Sequence, residues 1–162
     1  MKILVACIGN IFLGDDGFGV EVARKLAQRK LPENVVVKDF GIRGLDLAYA
    51  LLDPYDLAIL VDACPLGGAP GTVYVIEPEA AAGAAAIDPH SMHPMNVLRT
   101  AKAMGGASCP VLIVGCEPAD LGPEQGKMGL SETVEAALEE AAGVVESLIE
   151  RAGRGELVAA VR

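Results

Sequence analysis

Three runs of the chain are apolar from end to end: Ile3-Leu-Val-Ala-Cys-Ile8, Leu57-Ala-Ile-Leu-Val61 and Val111-Leu-Ile-Val-Gly115. A strand without polar alternation must be covered on both faces, which is the condition of a central strand in a parallel sheet. Helical patterns lie between the runs, so the chain is expected to be α/β. The architecture predicted is a single-domain, three-layer, twisted and mostly parallel sheet with helices on both faces. At 162 residues the chain has the size of one domain, residues 1–162, with a tail after about 153 that is weakly determined. It is 52% hydrophobic but only 4% aromatic, so its core must be built from Ala, Val, Leu and Ile.

The first run breaks into Gly9-Asn-Ile-Phe-Leu-Gly-Asp-Asp-Gly-Phe-Gly19 and then a helical pattern. Open α/β sheets bind ligands at such turns, outside the carboxyl ends of their strands. Dinucleotide folds also begin with a strand and glycines. Here, however, glycines 9, 14, 17 and 19 contain no G-x-G-x-x-G, and two adjacent carboxylates repel a phosphate. Acid at this place asks for a cation. One of Asp15 and Asp16 is expected to cap the following helix, whose positive end favours an acid, leaving the other for a ligand.

The net charge of −9, with no dense Lys/Arg run, argues against nucleic acid or an anionic membrane as partner. No leader and no apolar run near membrane length is present, so a cytoplasmic protein is expected, and a monomer. The four cysteines, Cys7, Cys64, Cys109 and Cys116, form no C-x-x-C, so neither a zinc ribbon nor disulfides are expected. Small buried hydrophobes describe them best. Cys7 and Cys64 nevertheless fall near the carboxyl ends of expected strands.

In chain order, residues 2–8 are the first strand. A helix over about 18–29 follows, with Phe18, Val22 and Leu26 on one face and a Glu21–Lys25 pair. Residues 35–37 read as a short second strand. The turn Asp39-Phe-Gly-Ile-Arg-Gly44 precedes a helix over about 45–52. Arg43 there could pair with a neighbouring carboxylate, hold a partner's carbonyl groups, or sit in a plain surface turn. Asp62 ends the buried run 57–61, at the same sheet edge as the Asp15-Asp16 turn. Residues 72–76 read as a more exposed, antiparallel strand, and 79–86 as a short helix or a loop. Asp88-Pro-His-Ser-Met-His-Pro-Met holds both histidines of the chain, His90 and His93, before a helix from Pro94 to about 104 with Met95, Leu98 and Ala101 inward. After the run 111–115 a Gly/Pro loop reaches to about 130. Ser131 should then cap one long last helix with Val134, Leu138, Ala141, Val145, Leu148 and Ile149 inward.

Asp16, Asp62 and His90 can therefore converge at one rim: two hard oxygen ligands and one imidazole. Such a set suits a divalent transition metal with coordination positions left open. It lacks the ligands of a structural zinc site. HExxH and G-x-S-x-G are both absent, so neither a zincin nor a serine hydrolase is implied.

These residues together resemble the nickel–iron hydrogenase maturation endopeptidases. The resemblance is carried by Gly9-Asn-Ile-Phe-Leu-Gly-Asp-Asp-Gly-Phe-Gly19, Asp39-Phe-Gly-Ile-Arg-Gly44, Val61-Asp62-Ala63, His90-x-Met-x-Pro-x-x-Val-Leu98 and Gly115-Cys-Glu-Pro118, in order over nearly the full chain. It implies an endopeptidase that removes the C-terminal peptide of a hydrogenase large-subunit precursor after nickel insertion, with the precursor's nickel as recognition element. The same resemblance implies that Asp16, Asp62 and His90 are both metal ligands and catalytic residues, and that nickel arrives with the substrate and is held weakly by the isolated enzyme. Asp39, Gly41, Arg43, Gly44 and His93 would contact the substrate. His93 stands where relatives usually carry another residue, so it could share or replace the role of His90; Phe40 stands where Gly is common. Whether metal or an Asp activates the water is open, giving metal-assisted or aspartic-type hydrolysis. A nickel-dependent checkpoint or chaperone protein that binds the precursor without cutting it would use the same ligands. A hydrolase acting on another peptide is a third reading.

Overall fold

Every residue of the first and third strands is buried, and the sheet order explains why. The computed structural model describes residues 1–78, 94–106 and 109–157. Among them, β1 (Ile3–Ile8), β2 (Val35–Gly41), β3 (Leu57–Ala63), β4 (Val73–Ile76) and β5 (Val111–Cys116) form one sheet in the order β2-β1-β3-β5-β4. The apolar runs occupy its three inner places. All pairings are parallel except that of β4 with β5. This is the mixed sheet expected, with the more exposed strand antiparallel at one edge.

Side chains alternate across the pleat and meet a different helix layer on each face. Ile3, Val5 and Cys7 of β1 and Ile59 and Val61 of β3 pack beneath α1 (Phe18–Ala27) and α5 (Leu138–Gly153). Leu4, Ala6, Ile8, Ala58 and Leu60 turn to the other side, toward α2 (Gly44–Ala50) and α3 (Pro94–Ala103). Both faces are thus closed by aliphatic side chains, and the polar groups of the strand ends collect at the carboxyl rim. No helix among the described residues is long and apolar enough to cross a membrane.

Four local expectations need correction or fall outside the structure. β2 runs on to Gly41 instead of ending at 37, so Asp39 belongs to the strand and pairs with Cys7. A bulge between Cys7 and Ile8 leaves Phe40 without a partner and turns its ring into the core. The last helix is two: α4 (Glu132–Ala136) and α5 part at Ala137, whose N–H bonds the carbonyl of Val134, three residues back, at 3.0 Å. Tertiary pairing also displaces the Glu21–Lys25 pair. Arg24 takes Glu21 at 2.9 Å, while Lys25 reaches Glu139 of α5 at 3.3 Å. Arg29 joins Glu139 and Glu146 in the same α1–α5 seam. The Ala-rich segment 79–86 lies outside the described residues.

Candidate active site

The first turn is built by close backbone approach. Gly14–Gly17 forms a 3-10 turn that returns the chain over the end of β1, where Asn10 N–H bonds both the carbonyl of Asp16 (3.2 Å) and its carboxylate (3.1 Å). A Cβ at Gly19 would enter the carbonyl oxygens of Ile8 and Val61 at once, so only glycine lets α1 start against the ends of β1 and β3. That contact brings the turn carrying Asp16 beside the end of β3.

Asp62 lies within β3, buried to 4% exposure, with its Oδ1 accepting the N–H of the next residue, Ala63. Its carboxyl is pushed well above the usual range, first by burial and then by the charge of Asp16; the Ala63 N–H opposes both. Asp16, half-buried, is raised as well, by burial against the partly offsetting N–H of Asn10. The charge of Asp16 thus disfavours ionisation of Asp62, and a bound cation would favour the ionised form of both. The donor set fits a hard or borderline divalent cation.

Asp15 behaves differently, and neither acid caps the helix. No side chain caps either the 3-10 turn or α1. Asp15 is wholly buried and faces away to the loop after β5. Its carboxylate accepts from the N–H groups of Ala119 and Asp120 (both 2.8 Å) and from the N–H (2.7 Å) and hydroxyl (2.9 Å) of Ser131. Ser131 in turn caps α4 through Val134 N–H at 3.4 Å, as its sequence context predicts. Sequence reasoning missed this anchor, because adjacent acids read alike until burial separates them.

It also missed Glu117. This acid follows β5 directly, the signal that singled out Asp62, yet it serves the loop after β3. It accepts from Leu66 N–H (2.8 Å), Gly67 N–H (3.0 Å) and the Tyr74 hydroxyl (3.0 Å). Burial works to raise its carboxyl, but these donors outweigh it and hold the group below its ordinary value.

The remaining candidates line the flank. Asp39 Oδ1 accepts Gly41 N–H at 2.7 Å, and Arg43 donates to the carbonyls of Asp39 (2.9 Å) and Phe40 (3.3 Å) while facing Asp46 at 3.6 Å. Gly44 opens α2. Cys7 sits between Asp39 and Val61 in register, its thiol pushed up to about 12 by burial and by the charges of Asp39 and Asp62. Burial and Asp62 likewise raise Cys64. Neither thiol is poised as a nucleophile. His90 and His93 lie outside the described residues. Among the described residues, no three His, Cys, Asp or Glu side chains gather as a ligand set; Asp16 and Asp62 stand as a pair.

Fold and acid pair together define an α/β protein with two raised carboxyls at the carboxyl rim of its sheet. The hydrogenase maturation protease family matches residues 20–148. The hydrogenase expression/formation protein HupD of Rhodobacter capsulatus is 33% identical over 124 residues, 74% of this chain and 59% of HupD, so the chain spans less than two thirds of that relative. The hydrogenase 2 maturation protease of Escherichia coli K12 is 32% identical over 156 residues, covering 94% and 93%. The solved structure of the hydrogenase maturating endopeptidase HybD from E. coli superposes with a TM-score of 0.79 at 33% identity, over 94% of each chain. The chain belongs to the hydrogenase maturation protease family and is a peptidase.

Proposed function

We infer that this peptidase removes the C-terminal peptide of a nickel–iron hydrogenase large-subunit precursor after nickel has been inserted, reading the precursor's nickel as its signal. The observation that carries this is the Asp16–Asp62 pair at the rim, two carboxyls raised by burial and, at Asp62, by the neighbouring charge. A divalent cation arriving with the substrate relieves both. His90 supplies the third ligand, with His93 three residues further on in sequence. Asp39, Gly41, Arg43 and Gly44 form the flank along which the tail lies, Arg43 keeping about half of its side chain exposed at 54%. The reaction is set in the cytoplasm, with the precursor as the partner.

In chemical terms, the acids do two things. They hold the substrate's metal, which fixes the scissile bond at the rim. A carboxylate at the rim can also accept a proton from the attacking water and pass it to the departing amine. The test incubates nickel-loaded and nickel-free precursor with wild type, Asp16→Asn, Asp62→Asn, His90→Ala and His93→Ala. Cleavage of loaded precursor alone, abolished in the first three variants, is the expected result. Binding without cleavage by wild type would instead favour a checkpoint protein, and loss in His93→Ala alone would move the histidine's role to position 93.

A further inference from the structure

The carboxylate of Asp15 has no place in the chemistry above, yet among the described residues no side chain at the rim is more fully held. It is wholly buried and accepts four hydrogen bonds, all from the 119–131 segment. The backbone repeats the tie. Asp15 N–H bonds the carbonyl of Asp120, Gly14 N–H that of Lys127, and Lys127 N–H that of Phe12, each at 2.8 Å. Asp120 and Lys127 close the same segment on itself at 2.6 Å. The turn that presents Asp16 is therefore clamped on one side to β1 through Asn10 and on the other to the loop before α4. A carboxylate is the right group for such a clamp, since it offers only acceptors to donors that converge. Burying a charge is costly unless it is hydrogen-bonded, and these four donors meet that condition at Asp15.

We propose that Asp15 is a positioning residue for the peptidase: by tying the Gly14–Gly17 turn to Ser131 and the 119–131 segment, it sets where the Asp16 carboxylate stands against Asp62. The inference rests on the functional reading above for its kinetic consequence, but its structural half stands alone. Asparagine at position 15 must turn its NH2 toward at least one of the converging donors, whichever way the amide lies, and so releases the clamp. Misplacing a reacting or ligating group by about an ångström costs up to about a hundredfold in rate, whereas a distant loss of stability does not alter turnover of the folded enzyme.

Asp15→Asn and Ser131→Ala are compared with Leu148→Ala, a core variant in α5 remote from the rim, each assayed well below its own melting temperature on nickel-loaded precursor. The expected result is a kcat lowered about tenfold or more in Asp15→Asn with KM changed less than about twofold. A smaller loss is expected in Ser131→Ala, which removes one of the four donors. Leu148→Ala should melt earlier yet keep the wild-type kcat. Wild-type kcat in Asp15→Asn, or a loss no greater than in Leu148→Ala, would overturn the proposal. Should Asp15→Asn not fold, Ser131→Ala decides by the same criterion. Amide hydrogen exchange gives the independent reading. Faster exchange in Asp15→Asn at Asn10 and Asp16, relative to α5, sustains the clamp even if wild type leaves the precursor uncut, and unchanged exchange there refutes it.

Discussion

Asp15 and Asp16 are chemically identical neighbours with opposite surroundings. Asp15 meets four donors and its charge is accommodated by them. Asp16 meets, among the described residues, one N–H, a partly buried site and a second acid across the rim. That contrast gives a pH test at Asp62. Its folded-state pKa lies above the unfolded value of 3.8, so the fold favours the neutral acid. Stability contributed by this group is complete at low pH and falls as pH rises from about that unfolded value through the folded one. Asp62→Asn, neutral throughout, should therefore melt a few degrees above wild type near pH 7, with the gain shrinking toward pH 4. A difference in melting temperature that stays constant from pH 4 to 8 would contradict the shift. Burial of an ionisable group at a working site commonly costs stability in this way.

At the scale of elements, the site depends on how closely α1 can approach the sheet. Gly19 sits against the carbonyls of Ile8 and Val61, backbone atoms that cannot swing aside as a side chain would. Gly19→Ala is expected to cost about 3 kcal/mol, the upper range for forced overpacking, and to move the Asp16 turn away from β3. Urea unfolding should show a lower midpoint with unchanged slope; a midpoint equal to wild type would mean that the helix start relaxes freely. The elements themselves were largely legible. Uninterrupted apolar runs marked β1, β3 and β5, the i, i+4 spacing of Phe18, Val22 and Leu26 marked α1, and Ser131 marked the start of α4. Less visible were the features fixed by partners. The extension of β2 comes from pairing with β1, the burial of Phe40 from a bulge, and the break at Ala137 from a local three-residue hydrogen bond.

At the scale of the molecule, Asp16, Asp39, Asp62 and Glu117 gather at one end because parallel strands present their carboxyl ends on the same side. The two faces are sealed by aliphatic layers, so the rim is where polar chemistry can stand. Asp16 and Asp62 offer only two carboxylates among the described residues, so under the proposed function the cation brings ligands of its own. The purified protein is expected to retain little metal: after dialysis against a chelator, elemental analysis should find far less than one nickel or zinc per chain. Stoichiometric metal surviving that treatment would mean a resident site and would remove the argument for a substrate-borne ion.

The sequence by itself determined the α/β class, the central strands, the first helix and the presence of acid after the first and third strands, because hydrophobic period and an acid at the end of a buried run are local signals. The tertiary structure alone decided which of two adjacent aspartates faces the rim, and that Glu117, marked by the same local signal as Asp62, braces a loop. It decided too that Lys25 reaches across to α5. Those outcomes depend on donors and charges brought from residues far along the chain, some more than a hundred positions away, and no local pattern encodes a distance between segments that meet only once the sheet has closed.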